Sequence, residues 1–179
     1  MKRFALLLVA ACSRTPEEPA RPFGADTIAT PAKPQPATCP PDPDRSSMLP
    51  VHMLTVRENP VRGACELVWK PDDTERGLMY RTFMADDHGM LFKLPRRVQR
   101  FWMHNTCISL DMLFVDTDGT IVGILERVPI LNDESRSVGK PTPYVLELAA
   151  GAAARYGLVA GQHLEIPPEI RDLAVPDSQ

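Results

Sequence analysis

The chain has 179 residues, a formal net charge of -3, 44% hydrophobic residues and 19 prolines. That length suits one domain with appendages. The slight acidity offers no basic surplus for nucleic acid, and no apolar run reaches the roughly 20 residues of a membrane-spanning helix.

The chain opens with a positive head, Lys2 and Arg3, then an apolar run from Phe4 to Ala11, then small residues before Cys12, where apolar character stops. This is the layout of a secretory signal. The segment Val9-Ala10-Ala11-Cys12 resembles the lipobox of bacterial lipoproteins. The resemblance implies that residues 1–12 are a signal peptide ending at Cys12, which would carry a thioether-linked lipid and an acyl chain and anchor the protein to a membrane. Ser13, where aspartate would favour inner-membrane retention in enteric lipoproteins, points to the outer membrane, facing the periplasm.

Residues 13–47 are rich in proline, alanine, threonine and charge, from Pro16 to Pro43. Each proline fixes φ and removes an amide donor, and too few apolar side chains remain to offset the entropy of ordering. The stretch reads as a tether that holds a domain clear of the bilayer, reaching on the order of 100 Å if extended.

Residues 48–170 read as the folded domain and 171–179 as a C-terminal tail. Leu49 to Val56 and Gly63 to Trp69 are expected strands, joined by a turn at Glu58-Asn59-Pro60. Acidic residues at its front mark Asp72 to Met79 as a short helix. Gly89 to Phe92 is a short buried strand, Pro95 to Arg97 a loop, and Arg100 to His104 and Leu110 to Asp116 are strands. Asp116-Thr117-Asp118-Gly119 is a tight turn, since Asp-Gly accepts positive φ, and Thr120 to Arg127 returns as its partner. The turn reading outweighs calcium binding by Asp116 and Asp118, because no glutamate follows at loop spacing. A loop over Asn132 to Pro143 precedes a strand over Tyr144 to Leu148, a helix over Ala149 to Tyr156 and a last strand over His163 to Ile166. Pro167-Pro168 ends the domain. The fold class is mainly β with small α elements: a β-sandwich or partly closed barrel of six to eight short strands with two short helices.

The blocks Glu75 to Arg81 (ERGLMYR), Asp87 to Phe92 (DHGMLF), Phe101 to Thr106 (FWMHNT), Ser109 to Val122 (SLDMLFVDTDGTIV) and Tyr144 to Leu164 are similar to those of the domain of unknown function 192 (DUF192) family, in order, over roughly Met53 to Ile166. The resemblance implies a β-sandwich or barrel with small helices in an often exported bacterial or archaeal protein, and brings no activity. His104 replaces the family's usual basic residue, Cys107 a branched aliphatic and Ser109 a frequent proline.

Polar residues on the matching motifs are Arg81, Trp102, Asn105, Thr106 and Asp111. Arginine offers a planar fork for oxyanions, asparagine a donor and an acceptor, and tryptophan an apolar platform. Arg81, Trp102, Asn105 and Asp111 are therefore the candidate ligand-binding residues of a non-catalytic module for a small molecule, glycan or protein partner. The structural alternative is a buried Arg81–Asp111 pair with Asn105 pinning a loop. An enzymatic alternative sets His104 as general base against Asp111, with Cys107 or Ser109 as nucleophile. A third reading is copper(I), from the scatter of Met48, His52, Met53, Met79, Met84, His88, Met90, Met103 and His104, although no tight ligand spacing occurs and methionine also fills cores. No cofactor is implied. Beyond Cys12, the thiols Cys39, Cys65 and Cys107 suggest one disulfide and one free thiol in an oxidising envelope. Cys39 to Cys65 is one possible staple, with connectivity open.

Overall fold

The computed structural model describes residues 38–43 and 49–176, so residues 1–37, including Cys12 and its signal segment, lie outside the description. The described residues form nine strands and three short helices: β1 (Val51–Val56), β2 (Asn59–Val68), α1 (Pro71–Arg76), β3 (His88–Val98), β4 (Phe101–Met103), β5 (Leu110–Val115), β6 (Ile121–Val128), β7 (Asn132–Arg136), β8 (Pro141–Ala149), α2 (Ala152–Arg155), β9 (Leu164–Glu165) and α3 (Pro168–Arg171). Seven strands share one sheet in the order β6-β5-β8-β3-β2-β1-β9, while β4 and β7 pair as a separate ribbon. All neighbours in the sheet are antiparallel except β2 and β3. A parallel pair needs a crossover, and α1 with the segment that follows it supplies one.

The sheet curls into a half-barrel because its two ends meet. The amide of Ile121 donates to the carbonyl of Gln162, and that of Leu164 to the carbonyl of Gly119, each at 2.8 Å. Gly119 sits at φ +92°, and a Cβ there would lie 2.3 Å from the Leu164 carbonyl oxygen. The Asp-Gly turn expected from the sequence thus also closes the curl.

Each face of the sheet has its own core. Leu54, Leu67, Leu91, Leu113, Val115 and Leu146 point to the inside of the curl, where α2, β9 and α3 cover them. Val68, Met90, Phe92, Met112, Phe114 and Val145 point to the other face, packed with Leu78 and with Met103 and Phe101 of β4. Strands covered on both sides lose their polar alternation, so all six residues of β5 are buried. Phe101 packs edge-on against Phe92 at 5.1 Å and Phe114 at 6.1 Å between ring centres, fixing the ribbon to the sheet.

The mainly β class holds, and the differences from expectation are local. β3 runs through Pro95 to Val98, where a loop was expected, and its register with β8 shifts between Lys93 and Arg97 to accommodate the proline. β7 forms within the stretch expected to be a loop, because Phe101 and Met103 offer it a partner edge. Both expected helices shorten, α1 stopping before Gly77 at φ +48°. A third helix, α3, uses Pro168 in its first turn, a position that needs no amide donor. Buried Lys93 reaches its end, donating to the carbonyls of Ile170 and Arg171.

Cys39 is bonded to Cys107, and Cys65 is free and buried. The Cys39–Cys65 staple is therefore corrected: Cys65 sits in the core inside the curl, out of reach of the segment carrying Cys39. Asp42 adds an ion pair to Arg76 at 2.6 Å, so residues 38–43 of the proline-rich stretch are held against the domain.

Candidate functional site

The main cavity is a cleft of about 730 Å³ on the face covered by the ribbon. α1 and the turn after it form one wall through Glu75, Arg76 and Leu78. Leu94, Arg97, Arg100, Phe101 and Trp102 form the other, and Glu147 lies in the lining. Gly77 lets the first wall come close: a Cβ there would meet the Phe92 ring at 3.1 Å.

Glu147 belongs to β8 and shares the face of Val145. Its cross-strand neighbours are Met90 on β3 and Met112 on β5, both fully buried. The residue is itself only 4% exposed, and its carboxyl has no hydrogen-bond or ion-pair partner among the described residues. The fully buried unpaired side-chain atom among them is Thr142 Oγ1, so the Glu147 oxygens are not wholly sealed. Burial between methionines penalises the charged form, which pushes the Glu147 carboxyl up to about 8. At neutral pH it is mostly a neutral acid, a donor and an acceptor at once.

The rim is different in kind. Arg97 and Arg100 are exposed and make no ion pair among the described residues, while Arg76 is engaged by Asp42. Trp102 is 51% exposed, and its ring is tilted by 33° over His104 at 5.2 Å. Gln99 is buried, with its amide nitrogen donating to the carbonyls of Pro95 and Thr142. That bridge holds the end of β3 against β8. Among the described residues the cleft thus offers two guanidinium groups without ion pairs and an indole above a neutral acid.

Of the four residues read from the sequence as ligand-binding, Trp102 alone lines this cleft. Arg81 forms a two-pronged ion pair with Glu66, which raises its pKa through the side-chain hydrogen bond. Arg81 and Asp111 are therefore not partners. Both Asp111 oxygens accept backbone amides, from Arg127 and Ala153, each at 2.8 Å. This buried carboxylate ties β6 and the first turn of α2 to β5. Asn105 adopts φ +51°, its amide donates to the Tyr80 hydroxyl at 2.9 Å, and its carbonyl accepts the Tyr80 amide at 2.7 Å. It pins the segment after α1 to the ribbon, and Thr106 is buried beside it.

The enzymatic arrangement is not formed. His104 meets Asp133 at 2.8 Å rather than Asp111, Cys107 is consumed by the disulfide, and the Ser109 hydroxyl donates to the Val128 carbonyl at 2.8 Å. Of the methionines and histidines that suggested copper, Met48 lies outside the described residues, Met84, Met90 and Met103 pack as core side chains on the ribbon face, and Met53 is exposed on β1. Among the described residues, no three of His, Cys, Asp and Glu gather into a metal site. None of their helices is long and apolar enough to cross a membrane.

Sequence reasoning missed Glu147, Arg97 and Arg100. The available signal was a single carboxylate inside the apolar run Tyr144-Val145-Leu146-Glu147-Leu148.

The chain is similar to two crystal structures. A Sinorhizobium meliloti 1021 protein described as a candidate transcription regulator is 37% identical, with a TM-score of 0.65, over 67% of this chain and 96% of that one. A Novosphingobium aromaticivorans DSM 12444 protein of unknown function is 32% identical, with a TM-score of 0.63, over 69% of this chain and 90% of that one. No curated protein matches. The model of the DUF192 family, described as "Uncharacterized ACR", matches residues 53–166. The chain, with its half-barrel, its ribbon and the cleft between them, belongs to the DUF192 family.

Proposed function

We propose that this protein is a cell-envelope lipoprotein whose DUF192 domain is a non-catalytic binding module for a small organic ligand, held in the cleft between α1 and β4. The observation that carries this reading is the cleft of about 730 Å³, in the range of small-molecule sites, with polar groups converging on it from both walls. Trp102 is its exposed aromatic face, and Arg97 and Arg100 are its cations without ion-pair partners among the described residues. A partly exposed tryptophan on a cleft wall has no structural need for that exposure, and a ligand ring would cover it. The site moves from the surface first read from sequence to this cleft, keeping Trp102 and replacing Arg81, Asn105 and Asp111 by Arg97, Arg100 and Glu147. Cys12 is the proposed lipid anchor and the proline-rich stretch its spacer. The Cys39–Cys107 disulfide suits an oxidising envelope.

A thermal-shift screen of the full chain against sugars, sugar acids, amino acids, peptidoglycan fragments and nucleotides tests the module. A compound at about 100 times its Kd stabilises by roughly 2.7 kcal/mol. The expected hit is lost in Trp102→Ala. A panel without hits, or hits untouched by that variant, contradicts the cleft. Labelled palmitate should mark the wild type and leave Cys12→Ala unmarked.

A further inference from the structure

We infer that Glu147 is the hydrogen-bonding floor of a site for a hydroxylated ring carrying an anionic group, with the anion at Arg97 and Arg100 and the ring face on Trp102. The inference deepens the binding-module reading and rests on it.

A buried polar group without a partner is costly, and native proteins seldom keep one in an otherwise apolar row. Glu147 is 4% exposed, flanked by Met90 and Met112, and lines the cleft with no partner among the described residues. Leucine or methionine would fill this position at no desolvation cost. A group that instead donates and accepts toward the cleft matches a ligand hydroxyl, which also does both.

Neutrality at the floor matters for the rest of the site. A carboxylate there would repel an anion, whereas a neutral acid leaves the potential to the guanidinium groups at the rim. Arginine forks fit carboxylate or phosphate oxygens in pairs. The flat face of Trp102 fits the apolar face of a sugar ring. Free sugars lack the anion and simple carboxylates lack the hydroxyls, so a sugar acid or sugar phosphate satisfies all three groups.

The charged groups around Glu147 are Glu75 and Arg76 on α1, Arg97 on β3 and Arg100 before β4. The sheet residues beside it, Met90, Phe92, Met112 and Phe114, do not titrate. Glu66 is paired to Arg81 one strand beyond Met90. His104 stacks on Trp102 and is held by Asp133.

The test is calorimetric titration of the full chain with glucuronate, glucose 6-phosphate and glucose, at pH 6.5 and across the range above 8. The wild type should bind one or both anionic sugars at least tenfold more tightly than glucose, and the preferred one separates carboxylate from phosphate. Affinity should fall toward tenfold per pH unit above about 8, as the floor loses its proton. Glu147→Gln, always neutral and still a donor and acceptor, should bind at pH 6.5 and lose that fall. Glu147→Leu, which removes a buried acid without opening a cavity, should stay folded by its melting curve and lose at least tenfold in affinity. Binding that is lost in Trp102→Ala yet unchanged in both Glu147 variants would overturn the role of Glu147 and leave the cleft reading standing. Absence of anionic-sugar binding, with other compounds held in a Trp102-dependent way, would overturn the ligand class alone. Absence of any Trp102-dependent binding would overturn both.

Discussion

Glu147 and Asp111 are both carboxylates on central strands, and their surroundings give them opposite chemistry. Asp111 accepts two backbone amides, whereas Glu147 meets methionines and holds its proton. Asp111→Ala leaves two amides without acceptors, each costing about 1–3 kcal/mol. Denaturant unfolding should show a loss of roughly 2–6 kcal/mol, and a loss under 1 kcal/mol would contradict the staple. For Glu147 the folded protein binds the proton more tightly than the unfolded chain, so its contribution is intact below pH 4.5 and fades as pH rises through about 8. The full effect is on the order of 5 kcal/mol by the linkage relation. Glu147→Gln should therefore flatten the loss of stability between those limits, measured by urea unfolding at several pH values. Asp111 stood out in the sequence because it lies in a recognised block, but its function as a pin needed α2, which is brought to it across 42 positions. Glu147 was overlooked because a lone charge in a strand normally marks a solvent face. Only the strand order, with β8 between β3 and β5, shows that both its faces are covered.

Among the elements, those with strong local signals were legible. The Asp-Gly hairpin and the β5 strand follow from turn chemistry and apolar patterning, although the burial of all six β5 residues does not. β7 was not, because Asn132–Arg136 is polar and pairs only where the exposed edge of β4 receives it. Disulfide pairing was not legible either. Three thiols leave it open until the fold puts Cys65 in the core and Cys107 beside the segment carrying Cys39. This bond closes a loop across 68 positions, for which chain entropy predicts about 4 kcal/mol. Cys107→Ser should lower the melting temperature by several degrees and free residues 38–43 to proteolysis. Burial pushes the Cys65 thiol up to about 12, so alkylation of the native protein should leave Cys65 unmodified while denaturation exposes it.

At the scale of the whole molecule, a mainly β half-barrel is covered on one face by its own curl and on the other by a two-stranded ribbon. The cleft lies between α1 and that ribbon, with Glu147 in its lining. The order of family blocks along the chain made the class of fold readable, because most of the blocks carry a strand. The cleft was not readable, since its walls come from α1, the end of β3, β4 and β8, which no short motif joins. Direct observation of the Glu147 carboxyl carbon by NMR, titrated with and without saturating glucuronate, tests the account most closely. We expect a midpoint near 8 in the free protein, moving higher when the sugar acid binds, because a ligand that prefers the protonated floor must strengthen its hold on the proton. A midpoint in the ordinary carboxylate range, or one that binding leaves in place, would contradict a neutral acid serving as the base of the site.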